Sequence, residues 1–336
     1  MNWSWMDSTV RQTVRTASKL LLTSSLAIAI PSAIAQATQS TTIHRIGVLD
    51  APIPGLADTL RDAFRELGYI EGKSILIDWR QSTGTDQELQ SLARRLAASG
   101  AELIVATATP AAQAALRATS VPVVFASGDP VATGLAASLA KPGGKGTGVS
   151  TTTTDLTPKR LELLLRVAPR RIGRILYLEN SSNPLRGLLL EEAKAAAATL
   201  GVQIESLDAG GLRGLDAALN GIRHREVDAI LVAADLLFLS NREKVARAVR
   251  EARLPAIFPW REYHDAGVLM SYSPSMTWVT RKLAVYVDRI LKGANPAELP
   301  IEQVSKYEFI IDLRIARSLK LEIPQEMLLR ADEIIR

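Results

Sequence analysis

The run Ala229-Ile230-Leu231-Val232-Ala233-Ala234-Asp235 decides the fold class of this chain. Its apolar residues follow one another without the alternation of a half-buried strand, which is typical of a strand covered on both faces in a parallel sheet. An aspartate ends the run, and Ser240-x-x-Glu243 then predicts a capping box at the start of an amphipathic helix. A buried strand followed by such a helix is the repeating half of an α/β fold.

The same alternation of short apolar runs and helical patterns fills the chain from His44 onward. The predicted strands are His44–Asp50, Ser74–Trp79, Leu103–Thr107, Pro122–Ala126, Thr147–Ser150, Arg174–Glu179, Gln203–Leu207, Ala229–Ala233, Ala256–Pro259 and Val268–Tyr272, with a further strand-like segment at Tyr307–Leu313. Helix signals separate them, among them the capping box Thr85-x-x-Glu88. The pattern therefore predicts βαβ units with right-handed crossovers.

The strands divide into two equal groups near Ser150–Asp155, where Thr151–Thr154 is a polar run suited to a crossing between lobes. We predict two similar Rossmann-like lobes with parallel sheets. The N-terminal lobe comprises residues 43–151 plus about 275–303, and the C-terminal lobe comprises residues 152–274 plus about 304–336. Open α/β sheets bind ligands at the carboxyl ends of their strands, so both lobes should face a shared cleft.

Residues 1–35 read as an export signal. Three basic residues precede the apolar segment Leu20–Ala35, which ends Ala33-Ile34-Ala35, an A-x-A cleavage pattern, ahead of Gln36. An N-terminal membrane anchor is the alternative, but the apolar segment is short and Pro31 interrupts it. We therefore expect a periplasmic protein whose mature form begins near Gln36.

Composition excludes several functional classes. The 336-residue chain has no cysteine, which rules out disulfides, thiolate metal sites and cysteine nucleophiles. Its three histidines lack the spacing of ligands on one helix face, so we expect no metal site. The net charge is +5, but the basic residues are scattered, which argues against nucleic-acid binding.

Motifs for covalent chemistry are weak in this sequence. The run Gly143–Gly148 is rich in glycine but stands between a predicted helix and a strand, whereas a phosphate loop must lead from a strand into a helix. Asp129 and Asp235 could pair as a general acid and base, but helix caps and ligand hydrogen bonds are the favoured interpretation. His264 is expected at the surface. We predict no catalytic residue, no cofactor and no enzyme activity.

Small polar residues follow the strands in both lobes. Hydroxyls, amides and helix N-termini suit a small polar or zwitterionic molecule, although any one of these residues could simply cap a helix. The candidate ligand-binding residues are Thr107, Thr109, Ser127, Gly128, Asp129, Thr151, Asn180, Asn183, Asp235, Trp260 and Tyr272.

An ordered set of short motifs resembles a known family. The matching stretches are Glu66–Gly72, Gly128–Pro130, Leu139–Gly144, Lys159–Leu164, Gly267–Tyr272, Leu291–Pro296 and Arg330–Glu333. Together they resemble the ABC-transporter substrate-binding proteins that include tryptophan-binding members, within the type I periplasmic binding-protein fold. The resemblance implies an exported receptor that binds a small polar ligand, an amino acid or a related small molecule, and delivers it to an ABC permease in the inner membrane. We expect a monomer. A ligand-sensing module for a membrane signalling receptor is the alternative function.

If the ligand is an amino acid, the candidate residues divide between its two charges. The start of the helix at Thr109, with Ser127 and Gly128, would bind the carboxylate, and Asp235 would bind the ammonium. Amino-acid receptors of this broad fold use a similar division between their lobes. Trp260 or Tyr272 would cover the ligand side chain, unless either belongs to the core.

Overall fold

A computed structural model describes residues 43–50, 53–82, 85–151, 156–167 and 172–336. The predicted export signal and residues 152–155 of the predicted crossing lie outside the described residues. Of the described helices, none is long and apolar enough to cross a membrane.

The strands in chain order are β1 (His44–Asp50), β2 (Ile75–Gln81), β3 (Leu103–Ala106), β4 (Val123–Ser127), β5 (Gly146–Ser150), β6 (Arg174–Glu179), β7 (Gln203–Asp208), β8 (Ala229–Val232), β9 (Ala256–Phe258), β10 (Met270–Pro274), β11 (Glu302–Gln303), β12 (Tyr307–Asp312) and β13 (Glu333–Ile335). The α-helices are α1 (Leu56–Glu66), α2 (Asp86–Ala98), α3 (Thr109–Ala118), α4 (Thr157–Val167), α5 (Arg186–Leu200), α6 (Leu212–Gly221), α7 (Leu236–Ser240), α8 (Arg242–Ala252), α9 (Met276–Leu291), α10 (Leu313–Ser318) and α11 (Gln325–Arg330).

The strands form two sheets, one in each lobe. The first has the order β11-β5-β4-β3-β1-β2 and is parallel throughout. The second has the order β13-β12-β10-β9-β8-β6-β7, and its only antiparallel pairing among the described strands joins β10 to β12. The predicted α/β class with parallel sheets is confirmed. After α9, the chain adds β11 to the first sheet and β12 to the second.

The central strands are covered on both faces, as their apolar runs predict. All four residues of β8 are buried, and so are all residues of β3, β4 and β5. Helix α9 packs Val279 and Leu283 into the same core cluster as Val48 and Val105 of the first sheet. Burial of large aliphatic side chains at about 1.5–3 kcal/mol each is what holds such layers together.

The start of α8 differs from the sequence-based expectation. Ser240-x-x-Glu243 does not form a capping box, because Ser240 is the last residue of the short helix α7. Asp235 instead caps α7 by accepting a hydrogen bond from the backbone N–H of Leu237 at 2.7 Å. Helix α8 begins after Asn241 without a side-chain cap. The capping box at Thr85 is present, where Oγ1 accepts from the N–H of Glu88 at 3.3 Å.

The connection between β4 and β5 also differs. The sequence-based interpretation placed a helix ahead of Gly143–Gly148, but residues 128–145 form turns and bends with no helix. Pro130 and Pro142, together with left-handed glycines at 134 and 143, break any continuous helical ladder there. The glycine-rich run leads into strand β5, which agrees with the exclusion of a phosphate loop.

Candidate functional site

A cavity of about 450 Å³ lies where the carboxyl ends of the two sheets face each other. We call it the interlobe cavity. The segments after β3 and β4 line it from the first lobe, and the segments after β6, β8 and β9 line it from the second. Parallel strands present their carboxyl ends at one edge of a sheet, so the same topology brings residues that are far apart in sequence to one space.

The first-lobe wall is built around the start of α3. The Thr109 hydroxyl lies 2.9 Å from that of Ser127, and the backbone N–H of Gly128 donates to Thr109 Oγ1 at 3.4 Å. No side chain caps α3, and Pro110 occupies its first turn. Since the first-turn N–H groups of a helix have no partner within the helix, this end offers hydrogen-bond donors and a partial positive charge. The wall therefore suits an anionic group.

The second-lobe wall is built around a buried carboxylate. Asp235 Oδ2 accepts from the side-chain amides of Asn183 at 2.7 Å and Asn180 at 3.1 Å, while Oδ1 accepts from the N–H of Leu237. These three residues come from the ends of β6 and β8, which are neighbours in the sheet. The network fixes the carboxylate at the surface of the interlobe cavity.

Among the described residues, the hydrogen-bond partners of Asp235 are all neutral. Asp235 is 5% exposed, and no ion pair among the described residues includes it. Burial raises the pKa of the Asp235 carboxyl, and the hydrogen bonds from Asn183, Leu237 and Asn180 oppose that rise. A buried carboxylate of this kind is stabilised by a cation, and the cavity gives a ligand cation access to it.

Apolar side chains make up most of the remaining surface. Ile53 and Leu89 contribute from the first lobe, Leu236 and Trp260 from the second, and Met276 from the start of α9. Aromatic and aliphatic walls with a few placed polar groups are typical of small-molecule sites. The arrangement can hold a ligand that has polar groups at one end and a sizeable apolar side chain.

A buried arginine fixes the backbone next to Trp260. Arg160 on α4 is 1% exposed and donates to the carbonyl oxygens of Pro259 at 3.3 Å and Tyr272 at 2.9 Å. Burial lowers the pKa of Arg160 to about 10, so it remains a cation at neutral pH. It therefore ties the ends of β9 and β10 together and sets the position from which Trp260 enters the cavity.

Nine of the eleven candidate residues line the interlobe cavity, and two do not. Those that line it are Thr107, Thr109, Ser127, Gly128, Thr151, Asn180, Asn183, Asp235 and Trp260. The Asp129 carboxylate turns back to accept from the N–H groups of Val131 and Ala132. Tyr272 stacks on Tyr307 with ring centroids 5.8 Å apart and packs against the hydrophobic core around the second sheet. The structure thus separates Asp129 from Asp235, and an acid–base pair between them has no geometric support.

Some cavity residues escaped the sequence analysis. Glu262 lies two positions after Trp260 and lines the interlobe cavity, and its position just after β9 is the signal that could have identified it. His264 was expected at the surface but is 8% exposed, because its Nε2 lies 3.0 Å from the Ser271 hydroxyl beneath the loop. Burial lowers the pKa of His264 to about 4.

Arg117 and Asp86 also line the first-lobe wall and form an ion pair. Both side chains are about half exposed, so the pair marks the solvent margin of the interlobe cavity. Within the described parts of the chain, no group of three or more histidine, aspartate or glutamate side chains is arranged to hold a metal ion.

Comparison with known families agrees with this architecture. Residues 49–335 match the family model described as ABC transporter substrate binding protein. The chain belongs to this family. The resemblance found in the sequence motifs is therefore confirmed, and the family is one of substrate-binding proteins rather than enzymes.

Individual relatives share most of the chain. A tyrosine-binding protein of Clostridioides difficile (strain R20291) is 26% identical over 265 residues, which are 77% of this chain and 75% of that protein. The crystal structure of an ABC domain in complex with L-Trp, from Streptococcus pneumonia, is 27% identical, with a TM-score of 0.80 over 88% of this chain and 100% of that one.

More distant structures share the fold alone. A periplasmic binding protein/LacI transcriptional regulator from Alkaliphilus metalliredigens has a TM-score of 0.54 at 11% identity, covering 79% of this chain and 96% of that one. The expected two-lobed type I periplasmic binding-protein architecture is confirmed.

Proposed function

We propose that this protein is an exported receptor that binds an aromatic amino acid in the interlobe cavity and delivers it to an ABC permease of the inner membrane. The observation that carries the proposal is the pairing of an anion-binding helix start on one lobe with a buried, cation-free carboxylate on the other, across one cavity. A zwitterion has the two charges that this arrangement requires.

The carboxylate of the ligand would bind at the start of α3. The free N–H groups of the first turn supply donors there, together with the one hydroxyl proton that the mutual hydrogen bond of Thr109 and Ser127 leaves available, and both side chains are buried. Charge-assisted hydrogen bonds to a carboxylate are about twice as strong as neutral ones. The ligand anion would therefore be held mainly by groups of the first lobe.

The ammonium would bind Asp235 in the second lobe. Asn180 and Asn183 hold that carboxylate in place, while Oδ1 accepts only one described hydrogen bond, from Leu237. A carboxylate has about four acceptor positions, so Asp235 retains capacity for a ligand donor. A ligand bound at both ends would favour the closed arrangement of the lobes, because only that arrangement satisfies both of its charges.

The apolar wall favours an aromatic side chain over a small or polar one. Leu89, Leu236, Trp260 and Met276 line the interlobe cavity, whose whole volume is about 450 Å³. The relatives named above include a tyrosine-binding protein and a domain in complex with L-Trp, which supports the same ligand class. Burial of an aromatic side chain removes roughly 150–250 Å² of surface from water, and each Å² of apolar surface buried stabilises the complex by about 25 cal/mol.

Family membership supports the proposed delivery and location. An ABC transporter substrate-binding protein works with a permease and generally acts outside the cytoplasm. The predicted export signal in residues 1–35 agrees with this location.

A thermal-shift screen of the twenty amino acids and small carboxylates tests the proposal. L-Tryptophan or L-tyrosine at 100 times Kd should stabilise the protein by about 2.7 kcal/mol. Glycine and L-aspartate serve as controls that carry the zwitterion without an apolar ring. Absence of stabilisation by every aromatic amino acid, with a folded protein, would reject this ligand class.

A further inference from the structure

Glu262 is a buried carboxylate that lacks a partner for one of its oxygens. The residue lines the interlobe cavity and is 9% exposed, and its Oε2 has no hydrogen-bond partner in the described part of the chain. Asp235, by contrast, accepts three hydrogen bonds. Leaving a buried acceptor unsatisfied costs free energy, so a site that retains one calls for an explanation.

Glu262 and Asp235 line the cavity from segments that follow different strands of the second sheet. Glu262 follows β9, whereas Asp235 follows the neighbouring strand β8 beside the asparagines at the end of β6. Trp260 also follows β9 and lines the cavity, and Met276 lines it from the start of α9. Glu262 thus lies in the same segment as Trp260, an aromatic residue of the lining, whereas Asn180 and Asn183 hold Asp235.

The charged groups near Glu262 do not neutralise it. Arg261 directs its guanidinium to Glu333 at 2.9 Å and to Glu308 at 3.8 Å. Burial raises the pKa of Glu262; its own backbone N–H and the charge of Arg261 oppose the rise, while Glu308 and Asp265 reinforce it. A hydrogen-bond donor brought by a ligand would satisfy the carboxylate without adding another buried charge.

We propose that Glu262 is a specificity-determining ligand contact that accepts a hydrogen bond from the side chain of the bound amino acid. The cavity would then select aromatic amino acids whose ring carries a donor, an indole N–H or a phenol O–H, over phenylalanine. This inference rests on the proposed function and adds the chemical basis of its selectivity. A site built to accept a hydrogen bond rejects analogues that lack the donor, because its own buried group stays unpaired.

Two analogue pairs test the inference by calorimetry on the wild-type protein. L-Tryptophan is compared with 3-benzothienyl-L-alanine, in which sulfur replaces the N–H at nearly the same size, and L-tyrosine is compared with L-phenylalanine. For at least one pair, the donor-bearing ligand should bind about 10- to 100-fold more tightly. Which pair responds distinguishes an indole donor from a phenol donor.

Glu262→Leu should reduce that preference to within about threefold, and Glu308→Gln is the matched control. Glu308 also has a carboxylate oxygen without a hydrogen-bond partner in the described part of the chain, although Arg261 lies 3.8 Å from it, and it does not line the interlobe cavity, so its variant should keep the wild-type preference. Equal affinities within both pairs for the wild type would overturn the inference, and that comparison decides it even if Glu262→Leu does not fold.

Two further outcomes separate this inference from the proposed function. Indole-3-propionate lacks the ammonium, so its weaker binding relative to L-tryptophan should persist in Glu262→Leu. Loss of that difference, with the ring-donor preference intact, would assign Glu262 to the ammonium and overturn the inference while leaving the proposed function in place. Failure of all four amino acids to bind the folded wild type would overturn the proposed function itself.

Discussion

Replacing Asp235 tests the division of the ligand between the lobes. Asp235→Ala removes the acceptor of three hydrogen bonds, which come from Leu237 at 2.7 Å, Asn183 at 2.7 Å and Asn180 at 3.1 Å. It would also leave the ligand ammonium buried without a counter-charge. Asp235→Asn removes the charge and keeps one acceptor oxygen, which can still cap α7, but its NH2 group cannot accept from the amides of Asn180 and Asn183.

The expected loss follows from the burial of the carboxylate. Truncating one partner of a buried, charge-assisted contact costs roughly 2–5 kcal/mol, which is about 30-fold to several thousand-fold in Kd. Loss of the cap of α7 should cost the fold about 1 kcal/mol, and the amides of Asn180 and Asn183 that lose their acceptor add about 1–3 kcal/mol each, so the melting temperature of the variant checks that it is folded. Thr109→Ala should weaken binding less than Asp235→Ala does, because the backbone donors of α3 remain.

Calorimetry with L-tryptophan and L-tyrosine measures these changes, with Asp129→Asn as the matched control. Asp129 also follows a strand and accepts backbone hydrogen bonds, but it does not line the interlobe cavity. The control should bind like the wild type. Unchanged affinity in a folded Asp235→Ala protein would remove Asp235 from the site and refute the zwitterion arrangement.

Four other predictions concern the backbone, a buried acid, closure and export. Gly148→Ala should lower the melting temperature by several degrees, because Gly148 has φ +149° and a Cβ there would lie 2.0 Å from the Phe125 carbonyl oxygen. Gly144→Ala is the control and should leave the melting temperature nearly unchanged, because a Cβ at Gly144 would meet open space. The pKa of Glu262 is raised in the folded protein, so its ionisation makes folding less favourable as the pH rises above the ordinary value of 4.5. Any melting-temperature advantage that Glu262→Gln has over the wild type at neutral pH should therefore shrink as the pH falls towards that value. Small-angle scattering should give a smaller radius of gyration with ligand; identical profiles for a free protein that is not already closed would contradict closure by the ligand. N-terminal sequencing of periplasmic protein should begin at or within a few residues of Gln36, and an intact Met1 on soluble cytoplasmic protein would contradict export.

Local sequence patterns are sufficient to predict the alternation of strands and helices and the edge of the sheets at which the site forms. A continuous apolar run such as Ala229–Ala233 can only be satisfied by burial on both faces, and parallel strands then place their following residues at one edge. For that reason the sequence alone predicts that Asn180, Asn183 and Asp235 lie at the same edge of the sheet. Local patterns carry this information because strand burial and chain direction are properties of short segments.

Which of those residues reach the cavity depends on tertiary contacts that the local patterns do not contain. Asp129 turns back onto Val131, and Tyr272 packs on Tyr307, because the turn after β4 and the antiparallel neighbour β12 fix their orientations. Glu262 reaches the cavity and His264 is buried, although only Tyr263 separates them in one short segment. The direction of a side chain after a strand depends on contacts with distant segments, and the order of residues along the chain does not specify those contacts.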